Sequence, residues 1–212
     1  VNCLNFGNPE HPEVMWQLSE AVDGLADGCR AYGLPVIGGN VSLYNESSGT
    51  NIDPTPVIGL LGMVDQLRRR PAGVGQQQGD ALVLLGSDLS GPEPSLAGSA
   101  VAWAAGHKGG ELPTFDAVAH SRVADLVRNL VNDEQLSGVH DASSGGLAVA
   151  LAEMAVRSGV GTDVSGVPST AHLFAELPGV VVASVGADRV DGVLAATAAA
   201  SVPAVVLGAA GG

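Results

Sequence analysis

Residues 35 to 46 read Pro-Val-Ile-Gly-Gly-Asn-Val-Ser-Leu-Tyr-Asn-Glu, a polar cluster that directly follows a short apolar run. The apolar start predicts a short buried strand that the two glycines interrupt and that continues beyond them. Glycines let a backbone approach a ligand closely, and oxygens suited to Mg²⁺, phosphate or hydroxyl groups follow at Asn40, Ser42, Asn45 and Glu46. In an extended segment, Asn40 and Ser42 point to the same face. A hairpin turn capped by asparagines is an equally good interpretation of these residues.

Strand and helix patterns alternate on both sides of this cluster. Before residue 66 we predict strands at 1–6 and 56–64, the second of them buried, and a helix that begins near Pro12 and ends at Gly33. After residue 79 the pattern predicts strands at 80–86, 139–141, 180–185 and 204–207, and helices at 95–106, 116–131, 147–157 and 188–200. This alternation predicts an α/β fold, a mixed sheet with flanking helices.

The composition changes between residues 66 and 79. Three arginines at 68–70 and three glutamines at 76–78 are typical of an exposed connection. We therefore predict a first domain at 1–66, a linker at 67–79 and a second domain at 80–212. The arginines favour a solvated linker over a surface that docks a partner.

The chain has 212 residues, of which 46% are hydrophobic, so it can bury a sizeable core. Its formal net charge is -13 with nine Lys and Arg residues, which argues against nucleic acid and anionic membrane surfaces as partners. No apolar run approaches the roughly 20 residues of a membrane span. Cys3 and Cys29 form no CxxC motif and indicate a reduced, cytoplasmic chain whose thiols act as small, half-buried hydrophobes.

A second polar motif, His-Asp-Ala-Ser-Ser-Gly-Gly-Leu, occupies residues 140–147. We predict that Ser143 or Ser144 caps the helix that follows, and that the free amides at its start form an anion site. A Ser-His-Asp hydrolase is disfavoured because no G-x-S-x-G turn is present. For His140 itself, a hydrogen-bonded imidazole in a capped turn is at least as good an interpretation as a functional one. The sequence also lacks a P-loop, a dinucleotide fingerprint and a compact metal-ligand motif.

Four stretches, taken in order, resemble the phosphoribosylformylglycinamidine synthases. They are Asn-Cys-Leu-Asn-Phe-Gly-Asn-Pro-Glu at 2–10, the cluster at 35–46, Pro-Thr-Pro-Val-Ile-Gly at 54–59 and the motif at 140–147. The first two are the most specific, whereas the last recurs across the aminoimidazole ribonucleotide synthetase superfamily.

The resemblance implies a purine-biosynthesis ligase that converts formylglycinamide ribonucleotide, ATP and glutamine-derived ammonia to formylglycinamidine ribonucleotide, ADP and phosphate. The family builds this enzyme from two related halves, each with an N-type and a C-type domain. This chain resembles the end of the second N-type domain followed by a second C-type domain that is truncated at its end. The implied partners are the first half of a longer chain, a glutaminase subunit and a small bridging subunit.

Motif positions imply the site residues. Asn2 and Gly39 correspond to ATP contacts, Asn40 to a Mg²⁺ ligand and Ser42 to a substrate contact, although the family usually has aspartate at the position of Asn2. The family's catalytic histidine lies in the first half, so we expect no catalytic residue in this chain and no turnover by the chain alone. We also expect the incomplete N-type domain to expose a sheet edge and apolar surface, and the chain to self-associate.

Other interpretations stay open. A sister-family enzyme, such as aminoimidazole ribonucleotide synthetase or a selenophosphate-synthetase-like kinase, would share the fold and the use of ATP. A non-catalytic nucleotide-binding or assembly module would hold Mg-ATP without exchanging it. An acidic α/β domain without a ligand would bind no nucleotide.

Overall fold

The computed structural model describes residues 1–63 and 71–211. The chain divides into two compact units, Val1–Arg68 and Arg69–Gly212. The predicted arginine triplet at 68–70 and the end of the strand predicted at 56–64 lie outside the described residues.

The first unit contains one long helix and a small sheet. Its elements are β1 (Asn2–Asn5), α1 (Pro12–Tyr32), β2 (Gly39–Ser42), β3 (Glu46–Ser47), β4 (Thr50–Asn51) and β5 (Thr55–Ile58). The sheet has the order β2-β1-β5, in which β1 runs parallel to β2 and antiparallel to β5. The strands β3 and β4 form a separate hairpin.

The helix α1 packs on one face of this sheet. The side chains of Leu4 and Phe6, two residues apart, both point to the helix and form a small buried core with Val14. As predicted, α1 has proline in its first turn and ends at Gly33, whose φ of 62° is left-handed. The other sheet face is covered by no element among the described residues of this unit.

The predicted burial of the two short apolar runs is wrong for the residues that the structure describes. Residues 34–38 are irregular, and the Ile37 side chain is 75% exposed. The strand β5 is exposed along its length, and Leu61, beyond it, is 90% exposed. Apolar composition predicts burial only where a second layer covers the strand. The helix α1 buries Leu4 and Phe6, whereas Ile58 of β5, on the same side of the sheet, is 45% exposed.

The second unit is a five-stranded antiparallel sheet with helices. Its elements are β6 (Ala81–Leu85), α2 (Ala100–Ala104), α3 (Ala117–Asn132), β7 (Gly138–Asp141), α4 (Gly146–Ser158), β8 (Thr162–Val164), α5 (Thr170–Phe174), β9 (Val181–Val185), α6 (Val190–Ala199) and β10 (Ala204–Ala210). The strand order is β7-β9-β6-β10-β8. The prediction of an α/β fold with flanking helices is confirmed.

Helices cover both faces of this sheet, which explains the uninterrupted apolar run of β6. Leu82 and Leu84 pack in a cluster with Met154 of α4. Val83 and Leu85 point to the other face and pack in a cluster that includes residues of α3 and α6. A strand buried on both faces has no polar alternation, and this is the pattern of residues 81–85.

Three local features differ from the predictions. The helix predicted at 95–106 is confined to α2, because Ser99 is its N-cap and accepts from the Ala102 amide. The short elements β8 and α5 were not predicted.

Among the described residues, no helix is both long and apolar enough to cross a bilayer.

Within the second unit, the segment 73–76 packs against β7 and the turn before β8. The Val139 amide donates to the Gly73 carbonyl at 3.1 Å. Gln76, which we expected to be exposed, is buried, and its Nε2 lies 2.7–2.9 Å from Val160 O, Gly161 O and Thr162 Oγ1. This segment therefore borders β7, which is the first strand in the sheet order, and also holds the turn that leads into β8.

Candidate functional site

The four predicted site residues lie on β1 and β2, in two pairs. Asn2 pairs with Gly39 in the parallel register, and register partners share a sheet face. Asn2 and Leu4 are two residues apart on β1 and therefore point to the same face, so both Asn2 and Gly39 lie on the α1 side. Asn40 and Ser42 point to the opposite face, together, as the alternation predicted. The structure thus separates the predicted ATP contacts from the predicted metal and substrate contacts by the thickness of one strand.

Asn2 and Gly39 are in close contact. A Cβ atom at position 39 would overlap with both the Oδ1 and the carbonyl oxygen of Asn2. At the neighbouring Gly38, by contrast, a Cβ would meet nothing within 4 Å. Position 39 therefore requires glycine for the packing of the two strands, before any ligand is considered.

Ser42 lies at the start of a hydrogen-bonded turn. Its hydroxyl donates to Asn45 Oδ1 at 3.2 Å, and Asn45 Nδ2 donates to the carbonyls of Phe6 and Ser42, each at 3.0 Å. Asn45 thus closes the turn. The hairpin interpretation describes Asn45 well, whereas Asn40 and Ser42 lie on the strand before the turn.

Asn40 is exposed, and the part of the chain that the structure describes offers its side chain no hydrogen-bond partner. No group of three His, Cys, Asp or Glu side chains among the described residues could hold a metal ion. Mg²⁺ usually keeps several waters and is bound through one or two carboxylates besides phosphate oxygens. The donor set here is one neutral amide oxygen, that of Asn40, so an ion bound at this place would take its remaining ligands from elsewhere.

The start of α4 is capped differently from the prediction. Its N-cap is Gly145, with a φ of 81°, and neither Ser143 nor Ser144 caps it. The Gly145 amide donates to Glu176 Oε1 at 2.9 Å, and the Ala100 amide donates to the same oxygen at 2.7 Å. The anion at this helix start is thus the chain's own carboxylate. No local pattern marks Glu176, because its partners lie 31 and 76 residues away in sequence.

His140 has a partner at each ring nitrogen. Its Nδ1 lies 3.2 Å from Asp141 Oδ1, and its Nε2 lies 2.6 Å from Glu153 Oε2. Both ring nitrogens of His140 contact carboxylates and, among the described residues, neither contacts a serine hydroxyl, so this arrangement supports the interpretation of His140 as a hydrogen-bonded imidazole that links β7 to α4.

The pKa of Asp141 is lowered from its ordinary value, chiefly because the Ser143 hydroxyl donates to the carboxylate, and His140 adds to this effect. A lowered pKa contributes stability above the unfolded value, and that stability is lost as the pH falls through the folded value. We expect Ser143→Ala to raise the pKa of Asp141, as measured by carboxyl ¹³C NMR titration. The variant should therefore lose less stability than the unmodified chain as the pH falls. Ser90→Ala is the control: Ser90 lowers the pKa of Asp88 in the same way, so this variant should leave the Asp141 titration unchanged. An unchanged Asp141 titration in Ser143→Ala would contradict the assignment.

Two family models match the chain. Residues 1–64 match the N-terminal domain of the AIR synthase related proteins, and residues 77–212 match the C-terminal domain. Among curated proteins, the PurL subunit of phosphoribosylformylglycinamidine synthase from Thermobifida fusca is 43% identical over 100% of this chain and 28% of its own length. The corresponding protein from a Nocardioides species is 46% identical over 87% of this chain and 24% of its own length. The chain thus spans about a quarter of the length of these relatives.

Solved structures share the fold at low sequence identity. Thermotoga maritima PurL complexed with FGAR has a TM-score of 0.67 at 14% identity, covering 99% of this chain and 35% of that one. The same protein complexed with ATP has a TM-score of 0.61 at 13% identity, with coverages of 99% and 33%. The hydrogenase maturation protein HypE has a TM-score of 0.61 at 18% identity, with coverages of 99% and 66%.

Proposed function

We propose that this chain, which belongs to the AIR synthase related proteins, is part of an ATP-dependent ligase of purine biosynthesis. The ligase would convert formylglycinamide ribonucleotide, ATP and glutamine-derived ammonia to formylglycinamidine ribonucleotide, ADP and phosphate. Support comes from the curated relatives, which are named phosphoribosylformylglycinamidine synthase subunits and match the whole chain. Solved complexes of a PurL protein with ATP and with FGAR support the nucleotide and the substrate.

The observation that carries the proposal is the pair of Asn40 and Ser42 on one face of β2. The strand β2 lies at an edge of the sheet among the described residues, and Gly39 and Asn40, which point to opposite faces, are both exposed, so a ligand can reach both sides of β2 there. Gly39 and Asn2 would contact ATP on one side, and Asn40 would bind its Mg²⁺ on the other. Ser42, held in place by Asn45, would contact the ribonucleotide substrate.

Phosphoryl transfer is compatible with the neutral side chains of Asn2 and Asn40. Bound Mg²⁺ would neutralise phosphate charge during phosphoryl transfer, in which positioning and electrostatic stabilisation do most of the work. Asn40 would orient the ion through one amide oxygen, and Asn2 would hydrogen bond to the nucleotide without adding charge. We assign no catalytic residue to this chain. The catalytic histidine would come from the first half of a longer chain, so the chain alone should not turn over.

The proposed assembly follows the same reasoning. Residues 1–66 would be the end of a second N-type domain, 67–79 a linker and 80–212 a second C-type domain. A solved complex described as PurLQS from Thermotoga maritima supports further subunits, which we propose to be a glutaminase and a small bridging subunit. The exposed apolar side chains of Ile37, Leu61 and Met63 support self-association of this chain. A cytoplasmic location fits this assignment.

Calorimetric titration with Mg-ATP tests the nucleotide site. We expect the chain to bind Mg-ATP, and Asn40→Ala to bind it about tenfold more weakly, because loss of even an outer-shell partner typically weakens metal binding by about 10- to 100-fold. Asn129→Ala, an exposed asparagine of α3, is the matched control and should bind like the unmodified chain.

Two results would contradict the proposal: no binding by the unmodified chain, or equal binding by Asn40→Ala. Mg-ATP that binds but does not exchange would favour the non-catalytic module instead. An active sister-family enzyme would bind Mg-ATP but not formylglycinamide ribonucleotide.

A further inference from the structure

A row of three polar side chains crosses the sheet of the first unit, at the end where β1 and β2 finish. Ser42 pairs with Asn5 in the parallel register, and Asn5 pairs with Thr55 in the antiparallel register. Register partners share a face, and neighbouring strands lie about 4.8 Å apart. Because Leu4 and Phe6 point to α1, the row of Ser42, Asn5 and Thr55 faces the other way.

The hydrogen-bond donors of this row all point back into the protein. The Ser42 hydroxyl donates to Asn45 Oδ1 at 3.2 Å, and the Thr55 hydroxyl donates to the Asp53 carbonyl at 2.9 Å. The Asn5 Nδ2 donates to the Thr55 carbonyl at 3.2 Å and to the Cys3 carbonyl at 3.4 Å. No N–H or O–H group of the three side chains is therefore left for a ligand.

Oxygen lone pairs are what the row still offers. Asn5 Oδ1 accepts only from the Cys3 thiol, at 3.9 Å, within the described residues. Thr55 keeps both lone pairs on its Oγ, whereas Ser42 keeps one, because its Oγ already accepts from Asn45 Nδ2 at 3.1 Å. Positive charge is scarce in this unit. The one Lys or Arg among residues 1–63 is Arg30, which lies on α1 and forms an ion pair with Asp27 at 2.7 Å.

We propose that this acceptor row, Ser42 with Asn5 and Thr55, binds the hydrogen-bond donors of the ribonucleotide substrate. Those donors are the ribose hydroxyls and the amide N–H groups. Phosphate oxygens are acceptors and need N–H groups or cations as partners, and the row provides neither. The inference rests on the proposed function, because it extends the substrate contact proposed for Ser42 to Asn5 and Thr55. It also gives the bound substrate a direction, with its phosphate away from the row.

Calorimetric titration with formylglycinamide ribonucleotide tests the role of Thr55, whose side chain is exposed. Thr55→Val keeps the shape of the side chain and removes its oxygen, and should weaken binding about two- to tenfold, the effect of one neutral hydrogen bond. Thr55→Ser returns the oxygen and should restore most of the affinity. The matched control is Thr50→Val on the separate hairpin, which should bind like the unmodified chain.

NMR tests the direction of the substrate. Formylglycinamide ribonucleotide should shift the side-chain amide signals of Asn5, whereas inorganic phosphate at the same concentration should not. A phosphate-induced shift of Asn5 would overturn the inference. So would ribonucleotide binding that is equal in Thr55→Val and the unmodified chain, a result that leaves the proposed function intact. Absence of ribonucleotide binding would also overturn it, and the separate Mg-ATP titration then decides whether the nucleotide site fails as well.

Discussion

Gly39→Ala is expected to destabilise the first unit by about 3 kcal/mol, a large cost for overpacking. The added Cβ would overlap with Asn2 Oδ1 and with the Asn2 carbonyl oxygen. The side chain could move, but the carbonyl belongs to the strand that pairs with β2, so the two strands would have to separate. The free energy of unfolding in denaturant measures this effect, with hydrogen exchange of the β1 amides reporting on the first unit.

Gly38→Ala is the matched control for this prediction. It makes the same chemical change one residue earlier, where a Cβ would meet nothing within 4 Å. We expect a change within about 0.5 kcal/mol, as for most exposed substitutions. Equal effects of the two substitutions would show that glycine is not required by packing at position 39. Because the experiment contains no nucleotide, it separates a packing role of Gly39 from a ligand role.

Gly86→Ala is expected to have the largest effect in the second unit, about 3 kcal/mol or more. Gly86 follows β6 and has a φ of +88°, a left-handed conformation that costs about 1–2 kcal/mol for a residue with a Cβ. In addition, the new Cβ would overlap with the carbonyl oxygen of Gly179, next to β9. The cost therefore combines backbone strain with a clash against the main chain. Chemical denaturation measures it, with hydrogen exchange of the β6 amides reporting on the unit.

Gly79→Ala separates these two contributions. Gly79 has nearly the same φ, +85°, but a Cβ there would meet nothing within 4 Å. We expect Gly79→Ala to show the strain alone, about 1–2 kcal/mol. The further loss in Gly86→Ala then measures the clash with Gly179. If the two variants unfold at the same denaturant concentration, the close approach of these backbones does not limit stability.

Local patterns predicted the elements whose signals are complete within one segment. The first helix has its proline, its apolar stripe and its terminal glycine, and the structure begins and ends it at Pro12 and Tyr32. The run at 81–85 is apolar throughout because helices cover both faces of its sheet. Equally apolar residues at 35–37 and 56–63 are exposed, because burial depends on a second layer that a local pattern does not contain.

In the candidate site, too, local patterns predicted some features, whereas others depend on residues far apart in sequence. Strand alternation was enough to predict that Asn40 and Ser42 share a face. Their separation from Asn2 and Gly39 depends on the strand register, and the contact of Glu176 with the start of α4 depends on residues far apart in sequence. The roles of the four residues come from a family resemblance, and they stay predictions until the titrations are made.

The segment at 73–76 decides where the second unit can be cut. Gly73 accepts a hydrogen bond from β7, a Cβ at Gly138 would overlap with the Gly75 carbonyl, and Gln76 holds the turn before β8. A gene fragment that began at residue 80 would lack the segment that hydrogen bonds to β7. The edge of β7 would then be unpaired, and unpaired strand edges promote intermolecular β-sheet growth. Anyone who wishes to express the C-terminal unit alone as a soluble protein should therefore start upstream of Gly73.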